Sequence, residues 1–332
     1  EQGSLLSSPQ FQGYGAVSQL VAYNGHYYAA GQFLDTLSFP GIGLLSTLGQ
    51  IDTRGGFIGK FDQNGTPIWI FDMTTGSPGM IATSSAIGPN GEIHVGGYTS
   101  QGATFSGMTE IVQLDDNGTL VGSMTMTGLS AITAISVNSN GYMAFAASCA
   151  GDSVILNGQP APGINDYNQL YGLFDDSGTL LGTKSVLDVT CVFPALHLDD
   201  QNNTYFSSDS PIATDIDGLP ILPSNWVYAF YTAKVNAGGI AEWVYQPIID
   251  SLLTGDSRRA MNRNIGNPDG GIIINGGTRG TVAWDNQFTS GVSLPDHDFF
   301  LLEIAADGTI QNVRSSGHPS WSTMNIGSAY SS

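Results

Sequence analysis

Short apolar runs alternate with turn sequences along the whole chain. In one recurring unit, an apolar strand leads into an Asx-rich turn with glycine and then into a second short strand. This unit recurs five times at a drifting period of about 60 residues, which indicates internal repetition, with its turn glycines at Gly65, Gly118, Gly178, Gly239 and Gly308. A second hairpin precedes each unit, with its turn at Asn24-Gly25, Asn90-Gly91, Asn140-Gly141, Asn202-Asn203 or Asp269-Gly270. Asx-Gly between apolar runs is a strong hairpin signal because both residues tolerate positive φ.

Each repeat therefore supplies four antiparallel strands, which we name A to D in chain order. The pattern predicts an all-β fold, a single β-propeller domain over residues 1–332 built of four-stranded antiparallel blades. The five full repeats span residues 14–75, 76–128, 129–188, 189–250 and 251–316. Residues 3–11 resemble a D strand and residues 319–332 an A strand, which predicts a partial sixth blade shared by the termini. Either five blades close with this remnant, or the native polypeptide continues beyond Ser332.

The charge balance limits the partners. Asp and Glu outnumber Lys and Arg by 28 to 9, which gives a net charge of -19. Nucleic acids and anionic membrane surfaces are bound through Lys and Arg, so neither is expected as a partner. No apolar run is long enough for membrane insertion. A surface rich in Ser, Thr and Asn with few charges favours a secreted or cell-surface protein.

The chain has two cysteines, Cys149 and Cys191, too few for a disulfide scaffold. Cys149 ends a predicted B strand, and Cys191 begins the A strand of the next repeat. We expect a disulfide between neighbouring blades in an oxidising compartment. Two free buried thiols are the alternative.

The first repeat resembles a known family. Residues 27–33 (YYAAGQF), 37–42 (LSFPGI) and 55–69 (GGFIGKFDQNGTPIW) are similar to the SBBP-type β-propeller repeat. That repeat occurs in secreted and surface proteins of bacteria, notably Bacteroidota that export through the type IX pathway. The resemblance extends to repeats two, three and five, and the fourth repeat departs most. It implies a propeller and surface display, and it implies no catalytic residues. A type IX sorting domain is expected at the C-terminus and is not found in this sequence.

Propeller geometry places the A–B and C–D turns on one face and the B–C loops on the other. We expect binding through the B–C loops, since loops on a rigid scaffold commonly carry function. The alternative is that they are hairpin extensions that pack against neighbouring blades. These loops span residues 33–56, 99–109, 149–168, 208–226 and 277–297.

Several smaller signals indicate candidate sites. Arg259, Arg263 and Arg279 are candidates for binding a carboxylate or a sulfated sugar; internal pairing with nearby Asp residues is the alternative. Three Asp-Ser/Thr-aliphatic triplets resemble sites that Bacteroidota O-glycosylate, with acceptors Thr36, Ser153 and Ser251. The Asp-x-Asn-Gly turns offer oxygen ligands for calcium, but they lack the alternating carboxylates of a calcium loop. Side-chain-capped turns are the simpler interpretation, so we expect no cofactor.

Catalysis has little support, because the five histidines are scattered and no nucleophile elbow is present. Trp226, Trp243, Trp284 and Trp321 are expected to fill gaps between blades, with sugar stacking as the alternative. The sequence therefore predicts a non-catalytic secreted or cell-surface scaffold for adhesion or assembly. Its partner would be a protein or glycan at the cell surface, or further copies in a larger surface complex. The alternatives are a glycan-binding lectin module and a polysaccharide-cleaving enzyme.

Overall fold

The structure, a computed structural model, consists of strands and turns. It describes residues 12–46, 54–73, 80–99, 108–187, 194–209, 213–221, 230–249, 263–267, 270–279, 281–284, 288–291 and 297–315. No helix occurs among these residues, and none of them forms a helical segment that would cross a membrane. The sheets are antiparallel, so the predicted all-β class is confirmed. Internal contacts divide the chain into two compact units, residues 1–135 with 149–163 and residues 136–148 with 164–332.

The first unit contains a five-stranded sheet with the order β1-β2-β4-β5, in which β3 pairs with β2. A second run of strands has the order β6-β7-β8-β9. The strands are β1 Gln12–Tyr23, β2 His26–Phe39, β3 Gly43–Ser46, β4 Arg54–Phe61, β5 Pro67–Asp72, β6 Met80–Ile87, β7 Ile93–Thr99, β8 Met108–Leu114 and β9 Leu120–Thr127. Residues of β10 Leu129–Val137, β11 Met143–Leu156 and β12 Gln159–Phe174 are divided between the units.

In the second unit, β12 pairs with β13, and two sheets have the orders β14-β15-β18-β19 and β21-β22-β25-β26. Smaller pieces are the pair β16-β17 and the three strands β20-β23-β24. The strands are β13 Leu180–Leu187, β14 Ala195–Leu198, β15 Thr204–Asp209, β16 Asp215–Ile216, β17 Leu219–Pro220, β18 Phe230–Val235, β19 Ala241–Tyr245, β20 Ile248–Ile249, β21 Arg263–Gly266, β22 Ile272–Arg279, β23 Thr281–Trp284, β24 Phe288–Gly291, β25 His297–Ile304 and β26 Ile310–Ser315.

The predicted hairpin turns are confirmed. Asn24 and Gly25 have φ values of 47° and 72°, which is the two-residue turn that suits the twist of a hairpin. The other turns share a five-residue pattern: in the turn from Asp62 to Thr66, Asp62 N donates to Thr66 O, and Gly65 N donates to Asp62 O. Turns with this pattern have a positive-φ residue at position four, namely Gly65, Gly91, Gly118, Gly141, Gly178, Asn202, Gly239, Gly270 and Gly308.

Two core clusters lie between sheet faces of successive repeats. In the first unit, Tyr28 and Ala30 on β2 and Ile58 on β4 form one cluster with Ile93 and Val95 of the second repeat. In the second unit, a matching cluster joins strands of the fourth and fifth repeats. Its fully buried members include Tyr205, Phe230, Ile272, Ile274, Trp284, Phe300 and Leu302. Burial of such faces is the main favourable term in folding.

Candidate functional site

The junction of the first and second repeats is built on four side chains. The indole Nε1 of Trp69 donates to the main-chain oxygen of Asp116 at 3.0 Å. Lys60 Nζ and Tyr28 Oη donate to the Asp116 carboxylate at 2.6 and 2.7 Å. The Lys60 ammonium also lies 5.5 Å from the centre of the Tyr28 ring. Three strands of one repeat thus converge on a single turn residue of the next, and we call this group the junction cradle.

The fourth and fifth repeats form a second cradle of the same design. Trp243 Nε1 donates to Ala306 O at 3.0 Å, and Lys234 Nζ donates to the same oxygen at 3.3 Å. Lys234 lies 5.8 Å from the centre of the Tyr205 ring. Since Ala306 has no carboxylate, Lys234 pairs instead with Glu242 at 2.7 Å. The lysine and the tryptophan are thus placed alike in both cradles, although the charged partner of the lysine differs.

The electrostatics of the first cradle follow from partial burial. Partial burial raises the pKa of Asp116, but the hydrogen bonds from Lys60 and Tyr28 outweigh it, so this pKa lies below its ordinary value. Burial and the hydrogen bond to Asp116 raise the pKa of Tyr28. These shifts favour a carboxylate at Asp116 and a neutral phenol at Tyr28. Lys60 and Asp116 form an ion pair, and the carboxylate makes both side-chain hydrogen bonds charge-assisted.

Sequence reasoning missed the cradles because their partners lie in different repeats. A signal was present in the internal alignment, where a lysine stands two residues before the turn Asx in two repeats, Lys60 and Lys234. A tryptophan follows the turn glycine by four residues in the same repeats, at Trp69 and Trp243. The expectation that Trp243 fills a gap between repeats is confirmed. Trp284 is also confirmed in this role, because it is fully buried against Phe230 and Phe300; Trp226 and Trp321 lie outside the described residues.

Adjacent A strands and A–B turns are also tied by hydrogen bonds. Gln19 and Ser85 of the first two repeats exchange two bonds of 2.8 Å. Asn138 Nδ2, in the A–B turn of the third repeat, donates to Asp199 O and Asn202 Oδ1 of the fourth at 2.9 and 2.8 Å. These polar residues therefore hold neighbouring repeats together.

The B–C loops, where we expected binding, are hairpin extensions wherever they are described. The first is formed by the end of β2 and by β3, and Leu37 and Phe39 are buried on Phe57 of their own sheet. In the third repeat, Ile155 and Leu156 on β11 pair with β9 of the second repeat. This supports the hairpin interpretation, and the buried residues of the first extension pack on their own sheet.

The fourth and fifth loops also contact the preceding repeat. Asp217, at the tip between β16 and β17, accepts two bonds from Lys184 on β13 at 2.7 and 2.8 Å. Burial raises the pKa of Asp217, but the bonds from Ala241 N and Lys184 outweigh it and lower the pKa. In the fifth repeat, β23 pairs with β20, which follows the D strand of the fourth. The second loop lies largely outside the described residues.

An apolar face on the first sheet is a candidate binding surface. A cavity of about 280 Å³ opens there. Val17 and Leu20 on β1 and Tyr27 on β2 are exposed at its rim, with 63% of Leu20 accessible. The described residues that line it carry no charge, and they are Val17, Leu20, Tyr27, Ala29, Phe39, Pro40, Phe57, Phe61, Gly65 and Pro67. Exposed apolar patches of this kind mark interaction sites.

The remaining predicted sites are only partly described. Arg263 begins β21 and Arg279 ends β22, so the backbone places both at the same end of one sheet. Arg259 and Ser251 lie outside the described residues. Thr36 and Ser153 are exposed on the first and third hairpin extensions, as the glycosylation prediction requires, and each triplet's aliphatic residue, Leu37 or Val154, is buried. Cys149 is on β11 while Cys191 lies outside the described residues, so the disulfide stays a prediction.

The Asp-x-Asn-Gly turns are capped by their own side chains, as predicted. Asp62 Oδ1 accepts the main-chain N–H groups of Asn64 and Thr66 at 2.9 and 2.7 Å. The hydrogen bond from Thr66, first among several, lowers the pKa of Asp62. Asp115 and Asp175 cap their turns in the same way. Within the described residues, no group of three His, Cys, Asp or Glu side chains is arranged to hold a metal ion.

No protein-family model matches the chain, and no curated protein matches it. Among solved structures, it is similar to the WD40 domain of Neurospora crassa Pan2, with 12% identity and a TM-score of 0.41 over 89% of this chain and 84% of that chain. It is also similar to a mutant of the Synechocystis apocarotenoid oxygenase, with 13% identity and a TM-score of 0.41 over 93% of this chain and 82% of that chain.

Proposed function

We propose that the chain is a β-propeller that serves as a non-catalytic scaffold at the cell surface, for adhesion or assembly. In its finer form, the proposal is a propeller of five full four-stranded repeats and a partial closing blade from residues 3–11 and 319–332. These two closing segments lie outside the described residues. We also propose that the protein is secreted, that it is related to the SBBP-type repeat proteins and that it is exported through the type IX pathway.

The recurrence of the junction cradle is the observation that carries the proposal. In a radial array, each repeat contacts its neighbour in the same way. The junction cradle is such a contact, and it is found between two different pairs of repeats. Lysine is scarce in this chain and costly to bury, yet Lys60 and Lys234 are both buried and each donates a hydrogen bond to a turn of the next repeat. Contacts that hold the repeats rigidly together suit a scaffold that displays its loops to a partner.

The tips of the B–C hairpins supply the contact surface in this proposal. Their bases are attached to the sheets, but the first tip exposes Ile42 and Leu44, with 65% of Leu44 accessible. Apolar side chains at the end of a rigid hairpin cost little ordering entropy when they bind. We therefore propose that the first hairpin tip contacts a protein partner or a further copy of the chain.

A comparison of variants tests this function. Self-association of the purified chain is measured by sedimentation, and we expect concentration-dependent assembly. The double variant Ile42→Ser/Leu44→Ser weakens assembly at least about tenfold, since two exposed apolar anchors are lost. The matched control is Ile240→Ser, because Ile240 is also exposed but lies in a C–D turn at the other end of its sheet.

The two alternative functions have direct assays. Binding to defined sugars on a glycan array would favour the lectin module, and release of products from polysaccharides would favour the enzyme. Either result, or assembly that is unchanged in Ile42→Ser/Leu44→Ser, would contradict the scaffold. The expected results are no enrichment on the array and no product release.

A further inference from the structure

The junction of the third and fourth repeats lacks the indole that both cradles contain. In each cradle a lysine faces a tryptophan across the C and D strands, namely Lys60 with Trp69 and Lys234 with Trp243. The corresponding pair in the third repeat is Leu173 with Gly182. All of β13, which carries Gly182, lies among the described residues. The D strand itself is therefore in place, and its glycine supplies no ring.

A shallow notch lies where the ring would be. Its floor is Gly239, and a Cβ added there would meet one described atom within 4 Å, Thr183 O at 3.6 Å. At the equivalent glycines of the cradles, Gly118 and Gly308, an added Cβ would meet indole atoms at 2.6 and 2.9 Å. The residues that line the notch include Tyr171, Leu173, Gly182, Phe206, Ala237 and Gly239.

The acceptor of the indole hydrogen bond is also present at this junction. In the cradles the indole donates to the main-chain oxygen two residues before the turn glycine, at Asp116 or Ala306. Ala237 holds this position in the fourth repeat, in a turn with the same main-chain bonds. No described side chain donates to the Ala237 oxygen. Because the acceptor is a main-chain atom, this turn can accept the N–H of an indole that is not attached to β13.

We propose that this notch is an anchor site for a tryptophan side chain of a partner polypeptide. The inference rests on the scaffold function and names the residue by which the partner is held. The enclosed part of the notch measures about 20 Å³, room for one water molecule. The ring therefore lies across the open side, as the half-buried Trp69 and Trp243 do. A site this shallow binds a free ring weakly, so it suits a side chain whose polypeptide makes further contacts.

The lining selects an uncharged ring that carries an N–H group. Lys184 is the charged residue among the described lining, and its ammonium is held by the Asp217 carboxylate at 2.7 Å. Leu173 and Phe206 add apolar surface, and the Ala237 oxygen can only accept a hydrogen bond. A phenyl ring would leave this oxygen unpaired when it covers the notch. Tryptophan is therefore preferred to phenylalanine.

The probe is N-acetyl-tryptophanamide, and the readout is the amide resonance of Gly239 in NMR spectra of the full chain. We expect a saturable shift with half-saturation at about 1–10 mM. The probe methylated on the indole nitrogen cannot donate the hydrogen bond, and it binds about threefold to tenfold more weakly. Gly182→Trp fills the notch from within and weakens probe binding at least about tenfold. Leu181→Trp is the matched control, because Leu181 is exposed and points to the other face of β13, and it leaves binding unchanged.

The proposal is overturned by any of the following results. No saturable shift at about 20 mM probe, equal binding of the methylated probe, or equal binding to Gly182→Trp would show that the notch does not hold an indole as the cradles do. Free indole that binds at least about tenfold more tightly than the amide would identify a small molecule as the ligand. Tighter probe binding by Trp226→Phe or Trp321→Phe would show that a ring of the chain itself is the occupant. None of these results bears on Ile42 and Leu44, through which the scaffold function is tested.

Discussion

Trp69 and Asp116 belong to neighbouring repeats and are joined by a hydrogen bond of 3.0 Å from the indole to a main-chain oxygen. Because the acceptor is a main-chain atom, the bond does not depend on the identity of the residue, and alanine serves equally well at Ala306. The cradle is thus set by turn geometry and by two side chains, a tryptophan and a lysine. This explains how the junction recurs while the rest of the repeat sequence changes.

The glycine beneath the indole provides a sharp test of this packing. Gly118 has φ of 79°, and a Cβ there would meet the Trp69 ring atoms at 2.6 to 3.1 Å. Gly158 has φ of 76° but no atom within 4 Å of its added Cβ. Alanine at either position costs about 1–2 kcal/mol for the left-handed backbone, and at Gly118 the overpacking adds about 1–3 kcal/mol. Urea unfolding of Gly118→Ala and Gly158→Ala measures the difference; equal losses would mean that the ring is not packed on the turn.

The junction of the third and fourth repeats lacks a tryptophan and can be given one. Gly182 corresponds to Trp69, and a Cβ there has its nearest neighbours at 3.9 Å, in Gly239. Gly182→Trp places an indole beside the turn and within reach of Ala237 O, so we expect stabilisation of about 1–2 kcal/mol. Calorimetry compares it with Gly182→Ala, and a lower melting temperature than that control would contradict the equivalence of the junctions.

The first hairpin extension has one buried face and one exposed face. Leu37 is fully buried and Leu44 is mostly exposed in the same hairpin. Leu37→Ala is expected to cost about 2–5 kcal/mol of unfolding free energy, and Leu44→Ala less than about 0.5 kcal/mol. Chemical denaturation measures both, and similar values for the two variants would show that the hairpin is not packed as described.

Acid should destabilise the protein in two separate ranges. Burial lowers the pKa of His94 and of His197 from 6.5. The unfolded chain therefore binds more protons than the folded one just below pH 6.5, and stability falls as the pH drops through this range, by up to about 1.4 kcal/mol per pH unit for each histidine. The turn carboxylates, such as Asp62, have lowered pKa values, so their contribution is present above pH 3.8 and is lost only below it.

Unfolding free energies at pH 7.5, 6.0 and 5.0 measure the histidine contribution. We expect the slope between these values to flatten in His94→Gln and further in the double variant with His197→Gln. An unchanged slope in the double variant would show that other groups take up the protons.

The sequence predicted local features well because their signals are contiguous. The turn from Asp62 to Thr66 is encoded by five adjacent residues, and its position and capping were both predicted. The pairing of Lys60 with Asp116 was not predicted, since the partners are in different repeats whose spacing drifts. The apolar face was missed for a related reason: Leu20, Tyr27 and Phe61 look like ordinary core residues in the sequence, and the exposure of Leu20 and Tyr27 depends on how the strands pack.

The same contact packs the first repeat on the second and the fourth on the fifth, and a double-mutant cycle on Trp69 and Gly118 measures its strength. Trp69→Ala, Gly118→Ala and the double variant are compared with the parent by urea unfolding. We expect a coupling of at least about 1 kcal/mol, because the extra cost at Gly118 disappears once the ring is gone. Additive losses, within about 0.3 kcal/mol, would contradict it.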